Sequence, residues 1–271
     1  MTDQLLDRSQ LETFNDDGVL LIRGVFKDWV DTLRKGIDAN MREPGPFGKV
    51  YTADNEAGLF FGDYCNWQRI TEYRDFLFNS PAAKLCAQLV SSDAVRIFHE
   101  HVLVKEPGTA RKTPWHHDQP YYCVDGRQLC SFWIPLDPVD QSVSPEFIAG
   151  SHNWNKLFVP TKFTGAQYQR AGQQLSIMPD IDQQRSQYRI KSWQLEPGDC
   201  IAFHYLTVHG APENLSEHRR RAFSARLMGD DAVFVERGGE ISPPFPGLEK
   251  RLKPGMPMNA EEFPVVYASQ E

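Results

Sequence analysis

From about residue 95 onward the chain is written in short runs of β-branched, aromatic and aliphatic residues, each cut off by turn-forming residues. This punctuation constrains the fold more than any other feature. The runs cover residues 95–104, 129–136, 146–148, 200–204 and 222–228, and Pro-Gly, Asp-Gly and Gly-Asp steps lie between them. Short strands joined this way pair antiparallel and close into two packed sheets.

The first third reads differently. Ser9 followed by Glu12 has the form of a capping box, and Leu11 and Phe14 extend it into a short amphipathic helix that stops at Asp16-Asp17-Gly18. Residues 19–22 read as a buried strand. A second helix is expected over about 28–41, where Trp29, Val30, Leu33, Ile37 and Met41 share one face, and Pro44-Gly45-Pro46 ends it. A third is expected over about 81–90. Helices first and strands second fit a mainly β protein with flanking helices around a double-stranded β-helix, the jelly-roll or cupin-like core. All 271 residues suit a single domain: a mainly helical part over about 1–93, the jelly-roll core over about 94–230, and a wrapping tail over about 231–271, Pro- and Gly-rich at 242–258.

Composition narrows the partners. The formal charge is −7 and the densest basic run is only Arg219-Arg220-Arg221, so a surface that tracks phosphates is not expected and nucleic acid is excluded as a partner class. Five cysteines, odd in number and without a CxxC pair, suit reduced thiols. The start of the sequence is polar and acidic, and no eighteen apolar residues run together, so a cytoplasmic protein without membrane association is expected, as monomer or homodimer. Seventeen Phe, nine Tyr and six Trp supply a core and an aromatic-lined pocket for a small molecule.

The chemistry concentrates in Trp115-His116-His117-Asp118. On an extended strand end, His116 and Asp118 point to the same side and present an imidazole and a carboxylate together. Iron(II) accepts nitrogen and oxygen donors, and a face of two histidines and one carboxylate leaves positions open for other ligands. His209, 91 residues beyond Asp118 and just before Gly210, is the candidate third donor. His117 competes with His116 but points the other way, as a supporting or core group. His99 and His101 form a rival H-x-H of the kind a cupin-like site uses. Eleven residues after His209 stands Arg220, whose planar fork matches a carboxylate and suits the far end of 2-oxoglutarate; Arg219 or Arg221 substitutes if the register differs.

With these motifs in order, the chain resembles the phytanoyl-CoA dioxygenase-like family of Fe(II)- and 2-oxoglutarate-dependent oxygenases over nearly its whole length. Residues 11–14 and 17–25 are similar to the family's opening helix and strand. Trp115-His116-His117-Asp118 resembles its W-H-x-D, Gly150-Ser151-His152 its G-S-H turn, and Pro197-Gly198-Asp199 its turn before the last core strands. His209-Gly210-Ala211 with Asn214, Ser216 and Arg220 resembles its closing stretch. The resemblance implies iron held by His116, Asp118 and His209, and 2-oxoglutarate paired with Arg220, walled by Trp133 and touched by His101. Dioxygen is the further co-substrate, and the reaction hydroxylates an unactivated C–H of a small metabolite with release of succinate and CO2. Tyr121, Tyr122, Asn153, Trp154 and the 64–67 segment are the substrate-contact candidates by position.

Two departures stand out: Ala211 replaces a serine or threonine that shares the far carboxylate in many relatives, and Ala149 replaces a proline before G-S-H. A halogenating branch of the family replaces the carboxylate ligand by a small residue, so Asp118 points to oxygenation. Desaturation, cyclisation and demethylation are alternatives at the same centre. A non-catalytic, cupin-like metal sensor using His99 and His101 is the alternative of another class.

Overall fold

In the computed structural model, which describes residues 4–53, 55–162, 166–168 and 174–269, the alternating runs become strands of two sheets. The helices are α1 (Arg8–Asp17), α2 (Val30–Arg42), α3 (Thr71–Asn79), α4 (Ala82–Val90) and α5 (Leu248–Arg251). The first strands are β1 (Val19–Ile22), β2 (Lys49–Val50), β3 (Phe60–Tyr64), β4 (Ala94–Lys105), β5 (Thr113–His116), β6 (Val124–Asp125) and β7 (Leu129–Pro135). They are followed by β8 (Glu146–Ile148), β9 (Ile190–Lys191), β10 (Cys200–His204), β11 (His209–Ala211), β12 (Arg220–Met228), β13 (Val233–Phe234) and β14 (Val265–Ala268).

The larger sheet has the order β1-β10-β7-β12-β4-β3-β2, with β14 also on β4; the smaller is β5-β11-β8-β9, and β6 and β13 make a ribbon. Alternation on β12 sorts the layers. Phe223, Ala225 and Leu227 face a helical layer that includes Leu33, Ile37, Phe76 and Leu85. Ala222 faces inward, where Trp133, Ile201 and Phe203 of the larger sheet meet Phe147 of the smaller one. This is the expected jelly roll with flanking helices.

Several local expectations change. The capping box of α1 is Asp7–Gln10, not Ser9–Glu12: Asp7 accepts the Gln10 N–H at 2.8 Å while the Gln10 side chain accepts the Asp7 N–H at 2.9 Å. A carboxylate is the better cap against the helix dipole, and Glu12 pairs instead with Arg8 at 2.7 Å. Gly18 ends α1 at φ +68°, where a Cβ would collide with His152 and Thr207, so the helix end is clasped by the G-S-H turn. A 3-10 turn at Lys27–Trp29 precedes α2. From the part before residue 93, β1, β2 and β3 join the larger sheet. Beyond residue 240, Leu248, Leu252, Met258 and Phe263 pack on Phe98, Tyr122 and Tyr205. Among the described residues no helix is long and apolar enough to cross a membrane.

One polar cluster is buried between sheet and helices. Asn40 donates to Asp63 at 2.6 Å, Tyr73 donates to Asn40 at 3.2 Å, and Glu100 accepts the Asn66 N–H. The other Glu100 oxygen has no hydrogen-bond partner among the described residues, and burial pushes this carboxyl up to about 7. The folded state therefore prefers the protonated form, and stability falls as pH rises from the ordinary carboxyl range through about 7. Glu100→Gln is expected to raise stability at pH 8 by on the order of 3 kcal/mol and to leave it nearly unchanged at pH 5. Thermal melts at the two pH values check this; equal gains at both would count against it.

Candidate metal centre

β5 and β11 pair antiparallel with His116 directly opposite His209, which brings the two rings to 4.2 Å between centroids. Each ring is oriented the same way. His116 Nδ1 lies 2.8 Å from the Pro114 carbonyl and His209 Nδ1 lies 2.9 Å from the Thr207 carbonyl. A carbonyl only accepts, so Nδ1 carries the proton and Nε2 offers its lone pair in both rings. Burial, ahead of any neighbouring charge, keeps the rings neutral by lowering the pKa of His116 and taking that of His209 to about 3.

Asp118 reaches the same point by a different route from the extended strand expected. The strand ends at His116; the Asp118 N–H donates to the Tyr205 carbonyl at 2.8 Å, and the backbone turns to φ −72°, ψ −40° at the start of a 3-10 turn through Pro120. Oδ1 then lies 3.7 Å from His116 Nε2 and 3.9 Å from His209 Nε2. The other oxygen accepts from Ser131 at 3.1 Å and sits 3.5 Å from Arg226 Nε. Burial alone would raise this carboxyl, but Arg226, then the two imidazoles and the Ser131 hydroxyl, outweigh it and hold it well below the usual range. Among the described residues, His116, Asp118 and His209 form the one group of three such donors close enough to share an ion, with ligand atoms within 4.8 Å of one another.

His117 points away as expected: its Nε2 accepts the Phe158 N–H at 3.0 Å. The G-S-H turn supports His209, because Ser151 donates to the Ile148 carbonyl at 2.6 Å and accepts the Val208 N–H at 2.8 Å. The motif marked Ser151 only as part of a turn, without this supporting role, and Arg226 was not among the candidate residues. The position of Arg226, inward on the same strand as Arg220, was the available signal.

Arg220 lines a cavity of about 30 Å³ together with Trp133, Lys105, Phe60, Thr113 and Ala211. It donates to the Val143 carbonyl, has no carboxylate partner among the described residues, and burial takes its pKa down to about 10. Lys105, directly opposite on β4, donates to the carbonyls of Arg111 at 2.7 Å and Pro212 at 3.2 Å and lies 4.7 Å above the Phe60 ring. Burial, and then the Arg220 charge, lowers it to about 6. Two desolvated basic side chains with no buried carboxylate beside them among the described residues fit an anionic ligand. Lys105 places a donor in the cavity that Ala211 lines, the position at which many relatives carry a serine or threonine.

The remaining candidates separate. His101 does not line this cavity; it pairs with Ser224 and Tyr64 further along the strands. Tyr121 lies edge-on to His116 at 5.8 Å, with its hydroxyl bonded to the Thr161 N–H and carbonyl, both at 2.7 Å. Tyr122 is buried behind Asp118 and accepts from Arg226. Asn153 is exposed with its amide 3.1 Å from His152, and Trp154 packs on Phe158 and Tyr188.

Two neutral imidazoles and an ionised carboxylate, set beside a cationic cavity in a jelly roll, suit the class of mononuclear non-haem iron enzymes that take an anionic co-substrate. A profile of the phytanoyl-CoA dioxygenase (PhyH) family matches residues 14–222. The chain belongs to that family, whose members are Fe(II)- and 2-oxoglutarate-dependent oxygenases. A probable phytanoyl-CoA dioxygenase of Caenorhabditis elegans is 22% identical over 174 residues, 62% of this chain and 51% of the relative, so the match spans about half of that protein's length. The solved structure of SnoK, a non-heme alpha ketoglutarate dependent carbocyclase from nogalamycin biosynthesis, is similar at a TM-score of 0.75 and 20% identity over 96% of each chain. The epimerase SnoN, solved with Fe3+, alpha ketoglutarate and nogalamycin RO, gives 0.74 and 20% over 95% and 97%. EctD from S. alaskensis, solved with 2-oxoglutarate and 5-hydroxyectoine, gives 0.70 and 17% over 91% and 84%. At these identities the structures establish the shared fold.

Proposed function

We propose that the chain is a dioxygenase that uses Fe(II), 2-oxoglutarate and O2 to hydroxylate an unactivated C–H of a small molecule, releasing succinate and CO2. The observation that carries this is the pair of buried basic side chains, Arg220 and Lys105, with no buried carboxylate beside them among the described residues, lining a cavity inside the jelly roll whose smaller sheet carries His116 and His209 of the donor set. These three side chains would hold the iron, which supplies dioxygen activation coupled to decarboxylation of the co-substrate. Asp118 offers Oδ1 alone, because Ser131 and Arg226 occupy Oδ2. Arg220 and Lys105 bind the far carboxylate, and Trp133 walls the cavity and excludes water. Tyr121 holds the Thr161 segment near His116 and makes one wall of the substrate space. The five cysteines are all free, in keeping with a cytoplasmic protein acting as monomer or homodimer on a small-molecule substrate.

The test is anaerobic loading with Fe(II) and 2-oxoglutarate, admission of oxygen, and a screen of small metabolites for stimulated succinate release. Product analysis separates hydroxylation from desaturation, ring closure or demethylation. Failure of the protein to bind Fe(II) and 2-oxoglutarate would overturn the reading. Ser151→Ala should weaken Fe(II) binding about tenfold or more by releasing the Val208 N–H that seats His209. Anaerobic titration measures it, and unchanged affinity would rule out that supporting role.

A further inference from the structure

The inner face of the larger sheet continues past the metal triad. On β4 the inward residues are Lys105, Leu103, His101 and His99, and opposite them on β12 stand Arg220, Ala222, Ser224 and Arg226 in that order. The first pair closes the co-substrate cavity. The last pair, His99 and Arg226, lies six residues further along each strand, roughly 20 Å of extended chain, too far for a five-carbon diacid whose end rests on Arg220. Binding of the co-substrate leaves this end of the stripe unused.

Four polar atoms of these side chains are buried yet have no hydrogen-bond partner among the described residues: His99 Nε2, His101 Nε2, Ser224 Oγ and Arg226 Nη1. Burying such atoms unsatisfied costs free energy, and four on adjoining positions of two paired strands mark a surface built to meet a ligand. The polarity of the surface can be read. His99 Nδ1 lies 3.1 Å from the Glu100 carbonyl, so that nitrogen carries the proton and Nε2 presents a lone pair. Arg226 presents only N–H; its Nε donates to the Tyr122 hydroxyl, and its charge faces Asp118. A carboxylate would oppose the His99 lone pair and find the guanidinium already matched, whereas an ammonium would be repelled by Arg226. A neutral group that both donates and accepts satisfies the two sides. The rings of Tyr122 and Tyr64 stand edge-on to His99 at 5.2 and 6.2 Å and wall the position.

We propose that His99 and Arg226, flanked by His101 and Ser224, form a substrate subsite that takes a neutral hydroxyl or carboxamide group of the primary substrate. This rests on the oxygenase reading, since its place beside Asp118 is what makes it a substrate subsite. The test uses the full chain loaded with Zn(II) and 2-oxoglutarate, with ligand-observed NMR on benzyl alcohol, benzamide, benzoate, benzylamine and toluene. Benzyl alcohol and benzamide are expected to bind about fivefold or more tightly than the other three. His99→Phe should erase that preference and His99→Gln, which keeps an acceptor, should retain it, so that loss of recognition is told apart from loss of fold. Preference for benzoate, absence of any preference, or a preference that survives His99→Phe would overturn the subsite. A separate titration with 2-oxoglutarate decides the underlying reading: if it fails to bind the Zn(II)-loaded protein, the oxygenase assignment falls first.

Discussion

Asp118→Ala is expected to abolish Fe(II) binding and to bring 2-oxoglutarate turnover down to the level seen without metal. The same change is expected to destabilise the metal-free protein by about 3 kcal/mol or more. The first effect follows from donor chemistry: His116 and His209 present two neutral nitrogens, and without the carboxylate nothing offsets the cation's charge in a buried site. The second follows from Arg226, which is 6% exposed and has Asp118 as its ion-pair partner. Removing one member of a buried pair leaves the other charge desolvated and uncompensated. Asp118→Asn keeps the shape and a bond to Ser131 while removing the charge, so it should fold better than the alanine variant yet bind metal poorly. Added Fe(II) at a hundred times its dissociation constant should stabilise the wild type by about 2.7 kcal/mol and give no shift in Asp118→Ala. Anaerobic titrations with thermal melts read both effects, and an alanine variant that still bound Fe(II) normally would remove Asp118 from the metal centre.

The sequence exposed those parts of the molecule whose signal is local. Strands β8, β10 and β1 lie where short apolar runs bounded by turn residues put them, because strands covered on both faces read as continuous apolar runs. The distant pairing of His209 with His116 was legible only through motif order, and its physical cause, the β5–β11 register, is a tertiary fact. Where the reading went astray, a neighbour had changed the local balance. Asp7 outcompeted Ser9 as the helix cap by carrying charge, and the Tyr205 carbonyl drew the chain into a turn at Asp118 where an extended end was expected. Helix α3 was missed because Ile70 at its N-cap offers no side-chain cap, so its start carries no sequence mark. Lys105 lay just past the expected run of residues 95–104, and its meaning depends on Arg220 lying directly across from it. His99 and His101 looked like a rival metal pair; no third donor joins them among the described residues, and they fall outside the metal-sharing group.

Arg220→Met should separate stability from function in opposite directions. Without a ligand, the Arg220 guanidinium is buried, has the Val143 carbonyl as its hydrogen-bond partner among the described residues, and faces Lys105 across the strand pair. Replacing it by an apolar side chain of similar reach removes a desolvation penalty and the repulsion on Lys105, so the 2-oxoglutarate-free protein should gain about 1 kcal/mol or more. Affinity for 2-oxoglutarate should fall by about two to three orders of magnitude, because the far carboxylate loses a bidentate, charge-assisted partner in a dry cavity, worth about 2–5 kcal/mol. The pH dependence carries the same signature. With Lys105 lowered to about 6, the ligand-free cavity is largely neutral at that residue above pH 6, and a bound dianion draws a proton onto it. Wild-type affinity for 2-oxoglutarate should therefore weaken as pH rises from 6 toward 8. In Arg220→Met the Lys105 pKa rises with the loss of its cationic neighbour, and the same weakening should begin at higher pH. Calorimetric titrations at several pH values, paired with melts of the ligand-free variant, test all three consequences. A variant that lost stability as well as affinity would show that Arg220 holds the fold together and is not a guanidinium kept buried for its ligand.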